Sequence, residues 1–248
     1  MKTRNGMLPW QSSSSGNDLS VEGGGSLING RRTAQVYEAF MGLVTLGSYR
    51  SFVSREASRL RPNPKDRAVD ICCGTGLLTR ALARSIGPKG AVVGVDASEA
   101  MLDAARSHSL LPTAEAAAVS FILADASRLP LPGESVDLAT MFLGLHEIAP
   151  SARLPALREV QRVLRPGGRG LILDVSSSIP RPLLWPARVA LIAMEGSDAW
   201  NITDPGVPAL LRQAGLRQTG RRAVLGGILE LVEFSRPLKR EPLPPASV

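Results

Sequence analysis

The residues whose types and spacing point to chemistry are Gly74 and Gly76, with Asp70 just ahead of them and two later acids, Asp96 and Asp125. Asp70 lies in the apolar run Ala68-Val69-Asp70-Ile71, which reads as a buried strand. Cys72-Cys73-Gly74-Thr75-Gly76 then turns into a helical pattern through Ala81, Leu82 and Ile86. A strand, a glycine turn and a helix N-terminus form a place to hold a nucleoside-bearing cofactor, because the backbone can come close and the helix end is polar. A dinucleotide would want a third glycine to seat its pyrophosphate. Thr79 stands there, so a nucleoside cofactor without phosphates fits better. Asp96 closes a second strand, Ala91-Val92-Val93-Gly94-Val95, where an acid can accept from both ribose hydroxyls. Asp125 closes a third, Val119 to Ala124, and can accept from an adenine amino group. Helix capping is the plainer role for either acid, but it does not account for their joint spacing.

These residues need a framework. From 67 to 175 strand and helix patterns alternate, with strands near 67–72, 91–96, 118–124, 136–142 and 169–175. Helices fall near 76–86, 98–107 and 151–164, the last stopped by Arg165-Pro166-Gly167-Gly168. Such alternation implies a parallel sheet with right-handed crossovers. A further helix is expected at 204–214, capped by Asp204 with Pro205 at its first position. Residues 216–224 and 228–235 read as an antiparallel pair turning at Gly226-Gly227. The expected fold class is α/β: a doubly wound, mostly parallel seven-stranded sheet of Rossmann-like type with an N-terminal helical cover. That cover is residues 33–60, two helices broken near Gly47, with apolar positions Val36, Tyr37, Phe40, Leu43, Val44, Tyr49, Phe52 and Val53. It either roofs the cofactor site and lines an apolar pocket or only covers a sheet edge. Residues 177–203 interrupt the pattern with three prolines, then Leu183, Leu184, Trp185, Val189, Leu191, Ile192 and Met194. A substrate lid, a membrane-contacting helix and a helix packed on the core all suit that segment. Residues 1–30 read as a disordered tail without a secretory h-region, 31–236 as the domain, and 237–248 as a flexible proline-rich tail.

The chain has 248 residues and 44% hydrophobic content, enough for one α/β domain, and no apolar run reaches membrane-span length. Its two cysteines are adjacent and cannot staple a fold, which favours a reducing compartment. The expected location is cytoplasmic, with peripheral membrane contact. Net charge is +7 and mostly arginine. That balance suits an anionic lipid surface or nucleic acid, or is merely scattered surface arginine.

Five stretches together resemble the class I S-adenosylmethionine-dependent methyltransferases. They are Val69 to Gly76; Val95-Asp96-Ala97-Ser98-Glu99-Ala100-Met101-Leu102; Ala124 to Pro132; Glu159 to Gly168; and Pro208 to Leu216 with Gly226-Gly227-Ile228. Within that superfamily, over residues 34 to 236, the chain looks most like the ubiquinone/menaquinone-biosynthesis C-methyltransferases. The resemblance implies S-adenosyl-L-methionine as cofactor. It assigns the methionine part to Asp70, Gly74, Thr75 and Gly76, and the ribose to Asp96 with Ala97 and Met101 beside the adenine. The adenine edge falls to Asp125 and Ala126, and a further contact to Phe142. The acceptor would be a small or lipid-like molecule rather than nucleic acid, and no metal is expected. Thr79 and Met101 could equally be packing residues. Oligomeric state is left open.

Four positions depart from the family pattern. Cys72 stands where the superfamily often has glycine, and Leu77 replaces the acid that often follows the turn. After the fourth strand, in Phe142-Leu143-Gly144-Leu145-His146-Glu147-Ile148, His146 and Glu147 replace the arginine and asparagine of the quinone branch. Histidine titrates near neutrality, so His146 is the candidate general base for forming a phenolate or freeing an amine. Its plainer role is a wall residue or a cap. Asp174, ending the fifth strand, is a second candidate for a polar substrate contact, and His108 is read as solvated. Base methylation of DNA is opposed by Met141-Phe142-Leu143-Gly144, which lacks the acid-proline-aromatic pattern. Carbon methylation of RNA and arsenite methylation lack the cysteines they need, since both stand in the cofactor turn. A quinol or phenol C-methyltransferase is the first expectation. An N- or O-methyltransferase of a phospholipid headgroup or small metabolite is the second, and a non-catalytic cofactor-binding subunit the third.

Overall fold

A computed structural model of the chain describes residues 48–108, 115–176 and 206–238. The N-terminal tail, the first half of the helical cover, the segment 177–203 and the Asp204–Pro205 helix start lie outside these residues, as does most of the C-terminal tail. In chain order the elements are α1 (Tyr49–Arg59), β1 (Arg67–Ile71), α2 (Leu77–Ile86), β2 (Ala91–Asp96), α3 (Glu99–Ser107), β3 (Ala118–Leu123) and β4 (Val136–Phe142). There follow α4 (Pro150–Val163), β5 (Leu164–Val175), α5 (Val207–Gln213), β6 (Arg217–Val224) and β7 (Leu229–Ser235).

The strands form one seven-stranded sheet in the order β3-β2-β1-β4-β5-β7-β6. The first five are parallel, and β7 runs antiparallel to both β5 and β6. β1 pairs with β2 on one side and β4 on the other, so chain order reverses there. The crevice beyond the carboxyl ends of strands at such a reversal is where open α/β sheets bind ligands. Helices cover the sheet because its central strands are apolar on both faces: Val69, Ile71, Val92, Val93, Val95, Leu138, Ala139 and Met141 are all buried. α2 presents Leu78, Ala81, Leu82 and Ile86 to this core at helical spacing. α3 starts where the Ser98 hydroxyl accepts the Met101 N–H at 3.3 Å, an N-cap. α1 packs on α2 and α4 on α5. Arg169 ties the end of α1 to the sheet, donating to the carbonyls of Leu60 at 2.9 Å and Arg61 at 2.7 Å.

Two expected boundaries move. α4 stops at Val163, as expected, but Arg165-Pro166-Gly167-Gly168 is strand rather than loop: β5 starts at Leu164 instead of near 169. The reason is pairing. Gly167 donates to the Arg236 carbonyl at 2.9 Å and Arg236 donates to that of Gly168 at 2.8 Å, so the end of β7 draws the proline-glycine stretch into the sheet. Within the described residues α5 begins at Val207 with Gly206 as N-cap and Pro208 in its first turn. The hairpin turns through Leu225–Gly227, close to the expected Gly226-Gly227.

Candidate cofactor and catalytic site

The turn after β1 is left-handed at three of five residues: Cys72 has φ 53°, Gly74 φ 51° and Gly76 φ 76°. Gly76 is also pinned by packing, since a Cβ there would lie 2.9 Å from the Phe121 ring. Cys72 stands where the resemblance leads glycine to be expected, and its φ suits glycine: an L side chain is strained in that region. It sits against the loop after β4, where Leu143 is left-handed too (φ 52°) and a Cβ on Gly144 would come within 2.3 Å of the Cys72 Cβ. The cofactor turn and the His146 loop therefore abut. Burial pushes both thiols, Cys72 and Cys73, well above the ordinary range, so they stay neutral and unreactive.

Asp70 lies under this turn rather than in its mouth. It is buried, and its carboxylate accepts from the Thr79 hydroxyl at 2.6 Å and the Thr140 hydroxyl at 2.8 Å. Thr140 is its register partner on β4, so the acid fastens β1, β4 and the first turn of α2 together. Burial pushes Asp70 up to about 6, against the pull of the two hydroxyls. Thr75 is buried, and its carbonyl accepts from Arg80 at 2.9 Å.

Asp96 ends β2 half-buried. One oxygen accepts the Gly74 N–H at 2.8 Å, the other the Ser98 N–H at 2.9 Å. Burial raises its pKa and these amides hold it down. A carboxylate has about four acceptor sites, so each oxygen keeps capacity for a ribose hydroxyl while the amides fix its aim. Ala97 is exposed and Met101 half-buried on the same strand-to-helix junction. Asp125 is exposed at the end of β3, and its Oδ1 accepts from the Ser127 N–H at 2.7 Å; Ala126 beside it is half-buried. At both acids the capping contacts leave carboxylate acceptor capacity for a ligand. At the start of α2, Gly76 offers no side-chain cap and the first turn holds no acid, so the helix end suits the carboxylate of an amino-acid moiety. The residues present fit a nucleoside bearing an amino acid.

Phe142 is the buried last residue of β4, and His146 follows, 4% exposed. Its Nδ1 lies 2.7 Å from Asp174 Oδ1. An ionised carboxylate only accepts, so Nδ1 carries the hydrogen and the basic lone pair is on Nε2. Asp174 is wholly buried and accepts three more bonds, from the amides of Leu145 (2.9 Å), His146 (3.3 Å) and Val175 (2.7 Å). It thus holds the loop and the ring. Sequence reasoning missed Arg153 on α4, buried, which donates from Nε to the carbonyls of Leu145 (3.1 Å) and Ile148 (2.9 Å) and from Nη2 to that of His146 (3.0 Å). Its only sequence signal is a charged residue on the apolar side of a helix. Among the described residues no cluster of His, Cys, Asp or Glu could hold a metal ion, and no helix is long and apolar enough to cross a membrane.

Residues 68–168 match the methyltransferase domain family. The chain is 34% identical over 149 residues to the demethylmenaquinone methyltransferase of Lactobacillus johnsonii, covering 58% of each protein. It is 29% identical over 222 residues to the ubiquinone/menaquinone biosynthesis C-methyltransferase of Proteus mirabilis, covering 80% of this chain and 85% of that one. The first of these matches therefore spans less than two thirds of the relative's length. The fold is shared with a SAM-dependent methyltransferase from Aquifex aeolicus at a TM-score of 0.52 and 23% identity, over 71% of this chain and 84% of that one. The sheet order and the glycine turn with its acid-ended strands are those of the shared fold, and residues 68–168, from β1 into β5, are the part of this chain that matches the methyltransferase domain family.

Proposed function

We propose that this protein binds S-adenosyl-L-methionine and methylates an apolar or amphipathic small molecule, at a ring carbon of a quinol or phenol. The single observation that carries this reading is the His146–Asp174 pair, set in a loop that packs against the glycine turn. The cofactor's contribution is an electrophilic methyl group on a sulfonium. The helix start at Gly74-Thr75-Gly76 would take its methionine part, Asp96 the ribose, Asp125 and Ala126 the adenine, with Ala97, Met101 and Phe142 packing on it. Holding the reacting atoms in line supplies on the order of several kcal/mol. His146 Nε2 takes the hydroxyl proton of the acceptor, and Asp174 stabilises the imidazolium that results. The phenolate so formed makes the ring carbon nucleophilic. Bound S-adenosylmethionine would supply the methyl group to that carbon, its carbon–sulfur electron pair leaving with sulfur, and the ring-carbon proton would pass to water.

The similarity to the two relatives, a demethylmenaquinone methyltransferase and a ubiquinone/menaquinone biosynthesis C-methyltransferase, supports this acceptor class. Such acceptors carry long apolar tails, so we place the enzyme at a membrane face. The exposed cations Arg50, Arg55, Arg59, Arg61 and Lys65 on and after α1 suit an anionic lipid surface. The test is transfer of labelled methyl from S-adenosylmethionine to a short-chain naphthohydroquinone, with phosphatidylethanolamine as comparison. Turnover on the hydroquinone that falls more than tenfold in His146→Ala is expected. Turnover on the phospholipid alone would replace this reading with headgroup N-methylation.

A further inference from the structure

Behind the His146–Asp174 pair stands a second buried carboxylate that the proposed chemistry does not use. Glu230 on β7 is directly opposite Asp174 in the β5–β7 ladder. Opposed residues project from the same face of the sheet, with Cβ atoms about 5 Å apart. Glu230 is 2% exposed and Asp174 0%. One Glu230 oxygen, Oε2, accepts from Arg221 Nε at 2.7 Å, with Arg221 Nη2 at 2.5 Å. The other, Oε1, is buried without a hydrogen-bond partner. A buried carboxylate oxygen left unsatisfied is costly. Here the cost is borne beside the one carboxylate that holds the imidazole.

We propose that Glu230 is a positioning residue that acts through Asp174, its buried negative charge favouring the protonated form of His146. The groups around the imidazole bear this out. Asp174 faces it from β5, Glu147 neighbours it in the loop, and Arg153 reaches the loop from α4. Arg153 is engaged with the carbonyl oxygens of Leu145, His146 and Ile148. Cys72, packed on the same loop, is a neutral thiol. Arg221, the cation on the far side of Glu230, has a side chain 37% exposed, so water screens its charge more than that of the acid. The excess reaching the ring from the β6–β7 hairpin is negative, which raises the affinity of an imidazole for its proton. A base that accepts a proton during turnover gains from such a neighbour.

The catalytic consequence rests on the reading of His146 as the base, but the titration does not. The chain has two histidines, so imidazole resonances in a heteronuclear NMR titration separate His146 from His108. His108, exposed at the end of α3, is the internal control. Glu230→Gln is expected to lower the His146 midpoint by about one to two pH units, as for a unit charge about 6–12 Å away in an effective dielectric of about 20, and to leave His108 in place. Arg221→Gln is expected to move His146 the opposite way. An unchanged His146 midpoint in both variants, or a fall in both, would overturn the proposal. If Glu230→Gln does not fold, the sign in Arg221→Gln decides. On an active acceptor, the acid limb of kcat/KM should follow the NMR midpoint. A midpoint that moves without the limb would keep Glu230's role and overturn His146 as the base.

Discussion

Asp70 is a carboxylate held where water cannot reach it, and its removal has a calculable effect. Burial lifts it from the ordinary 3.8 to about 6 in the folded chain. Between those values the folded state keeps a proton that the unfolded state has lost. Stability from this group is therefore complete below about pH 4 and is lost as pH rises through about 6. A shift of that size is worth about 3 kcal/mol, of which about 1.4 kcal/mol falls between pH 5 and 7. Asp70→Asn keeps the shape: its oxygen can accept from one threonine hydroxyl and its amide can donate to the other. The variant has no charge to bury. Its stability relative to the wild type should therefore improve by about 3 kcal/mol from below pH 4 to above pH 7. Urea unfolding of both proteins at half-unit steps from pH 4.5 to 8 reads about 2 kcal/mol of this difference. A difference that stays constant across that range would refute the account of Asp70 as a buried acid held near neutrality. A difference that moves toward the wild type as pH rises would mean that the ionised form is the one the fold favours.

Other outcomes follow from the same contacts. Asp174→Asn faces an amide nitrogen toward donors that now meet a carboxylate, and should cost about 2–5 kcal/mol, read as a fall of roughly 6–15 °C in thermal unfolding. His146→Ala leaves three amide donors on Asp174 and should cost markedly less; equal losses would show that the loop does not hang on Asp174. Gly76→Ala meets both a left-handed backbone and the Phe121 ring, and should cost about 2–4 kcal/mol in urea unfolding. Cys72→Gly relieves a left-handed L residue, and a gain of up to about 1 kcal/mol is expected; a loss would show that the Cys72 side chain contributes more by packing than its backbone costs.

The sheet and the turn were legible because their signals are local. Strand runs, helix periods and the Gly74-Thr75-Gly76 spacing each sit in a short window, and Cys72 stood out as a residue in a glycine position before its φ was known. What was not legible depends on pairing across the fold. Asp70 looked like a ligand contact because a strand-end acid beside a glycine turn has that role elsewhere. Its partner Thr140 lies on another strand, and only the β1–β4 register brings the hydroxyl beneath it. Asp174 looked like a substrate contact for the same reason, until the loop amides and His146 converged on it. Glu230 carried no signal, since its meaning comes from lying opposite Asp174. Pro166-Gly167-Gly168 hid the start of β5, because breakers read as loop when nothing pairs with them, and here Arg236 does.

The turn after β1 and the acid ending β2 are proposed to bind S-adenosyl-L-methionine. Calorimetric titration of the full chain with that compound, with NAD as control, tests this most directly. Micromolar binding of S-adenosylmethionine alone is expected, abolished in Asp96→Ala while the variant still unfolds cooperatively. Binding of NAD instead, or S-adenosylmethionine binding unchanged in Asp96→Ala, would contradict it.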